Sequence, residues 1–222
     1  MASLLAGATK TAHSLATSLL SAAEAKAGST LPVSVPVKED DAEKPFTFAG
    51  ITGKNVFVGV PGAFTGTCSA QVPGYIRAYE QFRARGVENV YVVGVNDVFV
   101  MKCVTRRVWT WRDDGVGLTV IGGQGVEAAA GSRGHAYVRL AVWCLYRMLT
   151  RACGTAIHFI ADDQGAFVGA LGMLFDASPL LGSPRSKRFV AVTEGETISF
   201  LTVEPNPGEV TVTAVDKIVP WV

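Results

Sequence analysis

An α/β fold, a central sheet flanked by helices, is what this 222-residue chain predicts, and three observations predict it. Short apolar runs bounded by glycine or polar residues recur: "KNVFVGV" from Lys54, "NVYVVGV" from Asn89 and "AIHFIAD" from Ala156. Runs of that length and composition are how strands buried on both faces read. Between the first two stands "YIRAYEQFRARG", where Ile76, Tyr79 and Phe82 recur at helical spacing and Gly86 supplies the stop. A final pair, "KRFVAVTEG" and "TISFLTVEP", reads as a hairpin turning at Glu194-Gly195-Glu196. Strand, helix, strand and then a hairpin is the alternation that layers helices against a sheet.

The elements follow in order. The first 28 residues are rich in Ala, Ser, Thr and Leu, hold two lysines and no arginine, and reach their first acid at Glu24. Leu4, Leu5, Leu15, Leu19 and Leu20 form a helical stripe, so residues 1–30 read as a flexible or targeting tail. The missing arginine argues against a mitochondrial presequence. "STLPVSVPVKEDDAEKP" is linker-like, and ordered structure is expected from near Phe46 within a single domain over 31–222. "AVDKIVPWV" reads as a last amphipathic helix ended by Pro220.

Composition narrows the function. The chain is 49% hydrophobic and 18% charged, which is globular rather than disordered. Its net charge of +1 gives no electrostatic footprint for nucleic acid. No uncharged apolar run approaches the roughly 18–20 residues that span a bilayer. Four cysteines are too few for a disulfide scaffold of this length, which favours a reducing compartment. The expected location is the cytoplasm, with mitochondria as an alternative.

One stretch departs from the pattern. Residues 103–156 hold three of the four cysteines, three of the four tryptophans and seven arginines against three acids. An excursion of that length without clear period is unusual inside a compact domain. Two explanations stand: a translated intron or gene-model error, or a real insertion forming a helical lid or partner site. A spliced transcript lacking the stretch would decide for the first.

The chemistry concentrates in "GVPGAFTGTCSAQVPGY", Gly59 to Tyr75. It sets Cys68 between a glycine-rich loop and a helix start, where free backbone N–H groups and the helix dipole favour a thiolate. Thr65 and Thr67 bring hydroxyls. Gly62 and Gly66 let the backbone close around a small substrate, and Pro61 and Pro73 stiffen it. A buried structural cysteine fits the same residues. A phosphate loop does not, for "GAFTGT" lacks the lysine of that motif. His13, His135 and His158 have no context that marks a catalytic pair, and no cysteine pair has zinc spacing. No metal or cofactor is expected.

Beyond these residues the chain closely resembles the type II (Prx5-type) peroxiredoxins, in particular their fungal, peroxisome-associated allergen-like branch. Pro61, Thr65 and Cys68 match the family's P-x-x-x-T-x-x-C motif; "GVNDVFVMK" and "FDASPLLGSPRSKRF" match two further family segments in the same order. The resemblance covers residues 30–102 and 157–222. It implies a thioredoxin-like fold and a thiol-dependent peroxidase acting on hydrogen peroxide and alkyl hydroperoxides. It implies catalytic roles for Cys68 as nucleophile, for Thr65 as peroxide and thiolate partner, and for Arg188 as the charge that steadies both. Pro61, Gly62, Phe64 and Arg185 would shape the pocket. A homodimer is also implied. Relatives that close an internal disulfide carry the second cysteine at positions that here are Val92 and Val212. That implies a one-cysteine cycle with an external reductant, glutathione with glutaredoxin or thioredoxin. Cys103, Cys144 and Cys153 could act as resolving thiols only if the insert reaches the pocket. The alternative is a non-catalytic redox sensor or chaperone-like protein whose site the insert has spoiled.

Overall fold

The computed structural model describes residues 24–102 and 156–222. The elements in chain order are strands β1 (Val37–Lys38), β2 (Pro45–Phe46) and β3 (Lys54–Val60), then helices α1 (Gly66–Arg77) and α2 (Tyr79–Ala84). Strands β4 (Val87–Gly94) and β5 (Ile157–Ala161) follow, with helical residues 98–102 after β4. Then come α3 (Ala166–Ala170), β6 (Leu174–Phe175), α4 (Ser178–Leu181), β7 (Arg185–Ser186), β8 (Phe189–Glu194), β9 (Thr197–Val203), α5 (Val215–Ile218) and a closing 3-10 turn (Val219–Trp221).

Seven strands form one mixed sheet in the order β2-β1-β5-β4-β3-β8-β9, and β6 pairs with β7 apart from it. Strands β3, β4 and β5 run parallel; β8 returns antiparallel to β3, and β9 to β8. The apolar runs fold as their composition demands: six of the seven residues of β3 are buried, and five of the six of β8. The hairpin turns where expected, with Gly195 taking φ +57°, a left-handed conformation that glycine reaches without strain. On one face of the sheet Phe48, Phe57, Tyr91 and Phe167 form a cluster with ring centroids 4.8–6.1 Å apart, offset-stacked, tilted or edge-on.

Three expectations change. Ordered structure begins well before Phe46: Leu31 and Val37 are buried, Gly28 N donates to Ile198 O, and Leu31 N to Glu196 O. Residues 24–30, assigned to the tail, therefore belong to the fold. The prolines that read as a linker sit in a segment anchored by backbone bonds to the hairpin, a tertiary partner that local composition does not reveal. The helix expected from Tyr75 to Gly86 is two helices meeting at Ala78, and the first begins at Gly66. The last helix is shorter than its pattern, since Pro220 falls in the 3-10 turn. Residues 1–23 and 103–155, and with them the leucine stripe, the insert, His13, His135, Cys103, Cys144 and Cys153, lie outside the described residues.

Candidate active site

The parallel strands end together at Val60, Gly94 and Ala161, and the site is built at that edge. After β3 the chain turns through Pro61 and Gly62, both buried. Phe64 follows at φ +64°, a left-handed conformation that costs a non-glycine residue roughly 1–2 kcal/mol. Two contacts hold this turn. Ala63 N donates to Asn96 Oδ1 at 3.1 Å, tying the loop to the end of β4. Thr65 Oγ1 donates to Gly62 O at 3.1 Å, closing the loop on itself. That bond uses the hydroxyl proton of Thr65, so its lone pairs remain available to an incoming donor.

Thr65 caps α1 in extended conformation, and the first intrahelical bond runs from Ser69 N to Thr65 O at 2.9 Å. Cys68 therefore lies in the first turn, where backbone N–H groups have no intrahelical acceptor. Its side chain is 4% exposed. Thr65 and Cys68, three apart, share one face of this turn.

Arg188 reaches the same spot through strand register. Phe189 pairs with Gly59, which sets Arg188 beside the end of β3, where the loop leading to Cys68 leaves the sheet. Arg188 as a whole is 1% exposed. Nη2 donates to Cys68 Sγ at 3.4 Å and to Pro207 O at 2.8 Å, Nε to Pro207 O at 3.1 Å, and Nη1 to Gln71 Oε1 at 2.5 Å. None of the ion pairs among the described residues involves Arg188. A buried cation is costly unless an anion or several acceptors face it. Two of its partners, Pro207 O and Gln71 Oε1, are neutral oxygens; the sulfur is the neighbour that can bring a negative charge.

The helix carrying Cys68 is held from behind. Thr67, Gln71 and Tyr75 recur at intervals of four and form a polar stripe. Thr67 Oγ1 donates to Gly208 O at 2.9 Å, Gln71 Nε2 to Thr213 Oγ1 at 2.9 Å, and Tyr75 Oη to Thr213 O at 2.6 Å. Burial pushes the Tyr75 phenol well above its ordinary range, with the Glu204 and Asp216 charges adding to it, so it remains a donor.

Arg185 stands elsewhere. It donates to Val95 O at 2.6 Å and Leu181 O at 3.2 Å, and lines a separate cleft of about 270 Å³ with Asn96 and Asp97 that Cys68 does not border. Leu181 also lies beside Gly62: a Cβ built on that glycine would be 3.5 Å from Leu181 Cδ1. Arg185 thus braces the loop through Leu181 rather than facing the sulfur. Sequence reasoning missed Gln71, Asn96 and the Pro207 carbonyl. Gln71 was visible as the residue three beyond Cys68 on the same helix; a backbone acceptor such as Pro207 O leaves no trace in a sequence. Among the described residues no group of three potential ligands could hold a metal, and no helix is long and apolar enough to cross a membrane.

A mixed sheet with three parallel central strands and a helix that carries a cysteine in its first turn is the thioredoxin-like peroxiredoxin fold. Solved structures agree: reduced Prx3 from Vibrio vulnificus in complex with H2O2 superposes with a TM-score of 0.60 at 26% identity, over 89% of this chain and 99% of that one. The chain belongs to the Redoxin family, whose model matches residues 26–219. Among relatives, peroxisomal membrane associated protein 20 of Schizosaccharomyces pombe is 37% identical over 86% of this chain and 95% of its own length. Peroxiredoxin-2C of Oryza sativa subsp. japonica is 29% identical over 74% and 75% respectively. The protein is a thiol peroxidase of the peroxiredoxin family, and a peroxide is its class of substrate.

Proposed function

We propose that Cys68 is the peroxidatic cysteine, working in a one-cysteine cycle on hydrogen peroxide and small alkyl hydroperoxides. The observation that carries this is the buried Arg188 guanidinium, 3.4 Å from Sγ and without an ion-pair partner among the described residues. A thiolate completes that arrangement, and an oxygen bearing developing charge is its next best ligand. The sulfur attacks the nearer peroxide oxygen. An S–O bond forms as the O–O bond breaks, and the departing alkoxide or hydroxide takes a proton to leave as alcohol or water. Thr65 orients the peroxide through its free lone pairs, and Arg188 stabilises the charge that passes from sulfur to leaving oxygen. Pro61, Gly62 and Phe64 wall the loop. The depth of the sulfur supports small substrates.

Cys68 is left as a sulfenic acid. Among the described residues it is the one cysteine, and it is free. An external thiol, glutathione with glutaredoxin or thioredoxin, then condenses with the sulfenic acid, releasing water and leaving a mixed disulfide; a second thiol attacks the reductant's sulfur, forming a reductant disulfide and releasing Cys68 as the thiolate. The exposed Phe64 in the catalytic loop, and the exposed Leu180 next in sequence to the Leu181 that lies by Gly62, support a homodimer formed through this face. A compartment with such a thiol pool suits the cycle, and the cytoplasm is the first location it favours, with mitochondria or a peroxisome-associated site as alternatives.

The test is turnover of peroxide by the full-length protein with each reductant in turn, beside the Cys68→Ser variant. Consumption that vanishes with Cys68→Ser and persists in a Cys103→Ser, Cys144→Ser, Cys153→Ser triple variant supports the reading. Activity retained by Cys68→Ser, or lost in the triple variant, overturns it.

A further inference from the structure

Glu204 follows β9 and is 5% exposed, yet none of the ion pairs among the described residues involves it. Its carboxylate instead accepts four hydrogen bonds. Oε1 takes Thr211 N at 2.6 Å, Thr213 N at 2.8 Å and Thr213 Oγ1 at 2.8 Å; Oε2 takes Thr211 Oγ1 at 2.6 Å. Burial would raise this group's pKa, but the bonds from Thr211 and Thr213 outweigh it and hold the carboxyl below its ordinary value. An ionised carboxylate can only accept, so the single hydroxyl proton of Thr213 is committed to Glu204.

That commitment has a direction. With its proton spent, Thr213 Oγ1 can only accept from its other neighbour, Gln71, and it meets Gln71 Nε2 at 2.9 Å. The Thr213 carbonyl, 3.3 Å from the same nitrogen, asks for the same end of the amide. The amide oxygen is thereby turned the other way, onto Arg188 Nη1. Were the Thr213 proton free to point at Gln71, the reversed amide would set NH2 against the guanidinium, donor against donor. The Glu204 backbone joins the same assembly, its N–H donating to Arg188 O at 2.8 Å.

We propose that Glu204 is a positioning residue of the peroxidase site: through Thr213 and Gln71 it fixes the polarity of a hydrogen-bond relay that aims the Arg188 guanidinium at the Cys68 sulfur. The inference rests on Cys68 and Arg188 being the reacting pair. It goes beyond that pair by assigning a function to a buried acid and a threonine that touch neither sulfur nor peroxide. The relay needs an acceptor at 204 and a hydroxyl at 213, and it acts only through Gln71.

The experiment measures the second-order rate of Cys68 oxidation by hydrogen peroxide in the full-length protein, by rapid quench with a sulfenic-acid trap, alongside the melting temperature. Thr213→Val removes the hydroxyl at nearly constant volume, and Thr213→Ser keeps it. Glu204→Ala removes the acceptor, and Glu204→Gln keeps one oxygen where three donors converge. Thr213→Val and Glu204→Ala are expected to slow the reaction about 5- to 20-fold, the range of one or two oriented hydrogen bonds, with Thr213→Ser and Glu204→Gln within about 3-fold of the parent. In a Gln71→Ala background Thr213→Val should cause no further slowing, because the relay is already cut. A folded Thr213→Val protein that reacts at the parental rate overturns the proposal. So does equal slowing by Thr213→Val with and without Gln71, which would mark a general loosening. If Glu204→Ala fails to fold, the Thr213 pair and its cycle with Gln71 decide. A parent protein that forms no sulfenic acid at Cys68 would instead sink the assignment of the nucleophile.

Discussion

Gly59→Ala should damage both the sheet and the site, and the structure sets the size of the effect. A Cβ at position 59 would lie 2.1 Å from Phe189 Cε1, 2.3 Å from Cδ1 and 2.8 Å from Cζ. Ordinary carbon contacts begin near 3.5 Å, so the ring would have to retreat by more than about 1 Å. It has little freedom to do so. Phe189 is fully buried, and its backbone is paired to Gly59 on one side and Val203 on the other. Overpacking of this kind costs about 1–3 kcal/mol, and for a chain of this size that is a fall in Tm of roughly 2–12 °C. Strain that moves Phe189 also moves Arg188, the preceding residue, away from Cys68. The midpoint of guanidinium denaturation and the rate of Cys68 oxidation by peroxide should therefore fall together. Adding Phe189→Leu, which removes the offending ring atoms, should restore part of the lost stability. A Gly59→Ala protein as stable and as reactive as the parent would refute the claim that the register of β3 against β8 places Arg188.

Three further outcomes follow from the same geometry. Arg188→Lys replaces a planar fork with a point charge that cannot serve Cys68, Gln71 and Pro207 at once, and should lower the peroxide rate by about 100-fold while the protein stays folded, checked by stopped-flow and circular dichroism. Asp162→Ala removes the acceptor of Phe167 N (3.2 Å) and Val168 N (2.8 Å) at the start of α3, and should cost about 1–2 kcal/mol in urea unfolding. Glu204, held below its ordinary value, stabilises the fold fully above that value of 4.5; this share is lost as pH falls through its lowered folded value, so the stability gap between parent and Glu204→Gln should close on acidification and stay open at neutral pH.

Much of the architecture was legible because burial on both faces leaves a plain signature. The runs at β3, β4, β5 and β8 are apolar for a reason that acts along the chain itself. Strands β1 and β2 have two residues each and sit among prolines and acids, so nothing local announces them; they exist because the edge of β5 is there to pair with. The site divides the same way. Cys68, Thr65 and the loop glycines lie within one short stretch and could be read together. Arg188 needed the family resemblance, since 120 residues separate it from the sulfur it touches. Gln71, Thr213 and Glu204 form a chain of side-chain bonds across a helix and a C-terminal loop, and such a chain is defined by direction and distance rather than by residue type. Arg185 shows the converse: its motif marks it, yet its two terminal nitrogens donate to backbone carbonyls rather than to the sulfur.

The central claim is that Cys68 is an assembled, reactive nucleophile, and one measurement tests it most directly. The full-length chain is exposed to one equivalent of hydrogen peroxide with a sulfenic-acid trap, and the adducts are mapped by mass spectrometry at early times. Fast labelling confined to Cys68 is the expected result. Slow labelling spread over Cys68, Cys103, Cys144 and Cys153 would contradict the account, for it would mean that Arg188 and the first turn of the helix confer no special reactivity on the sulfur they surround.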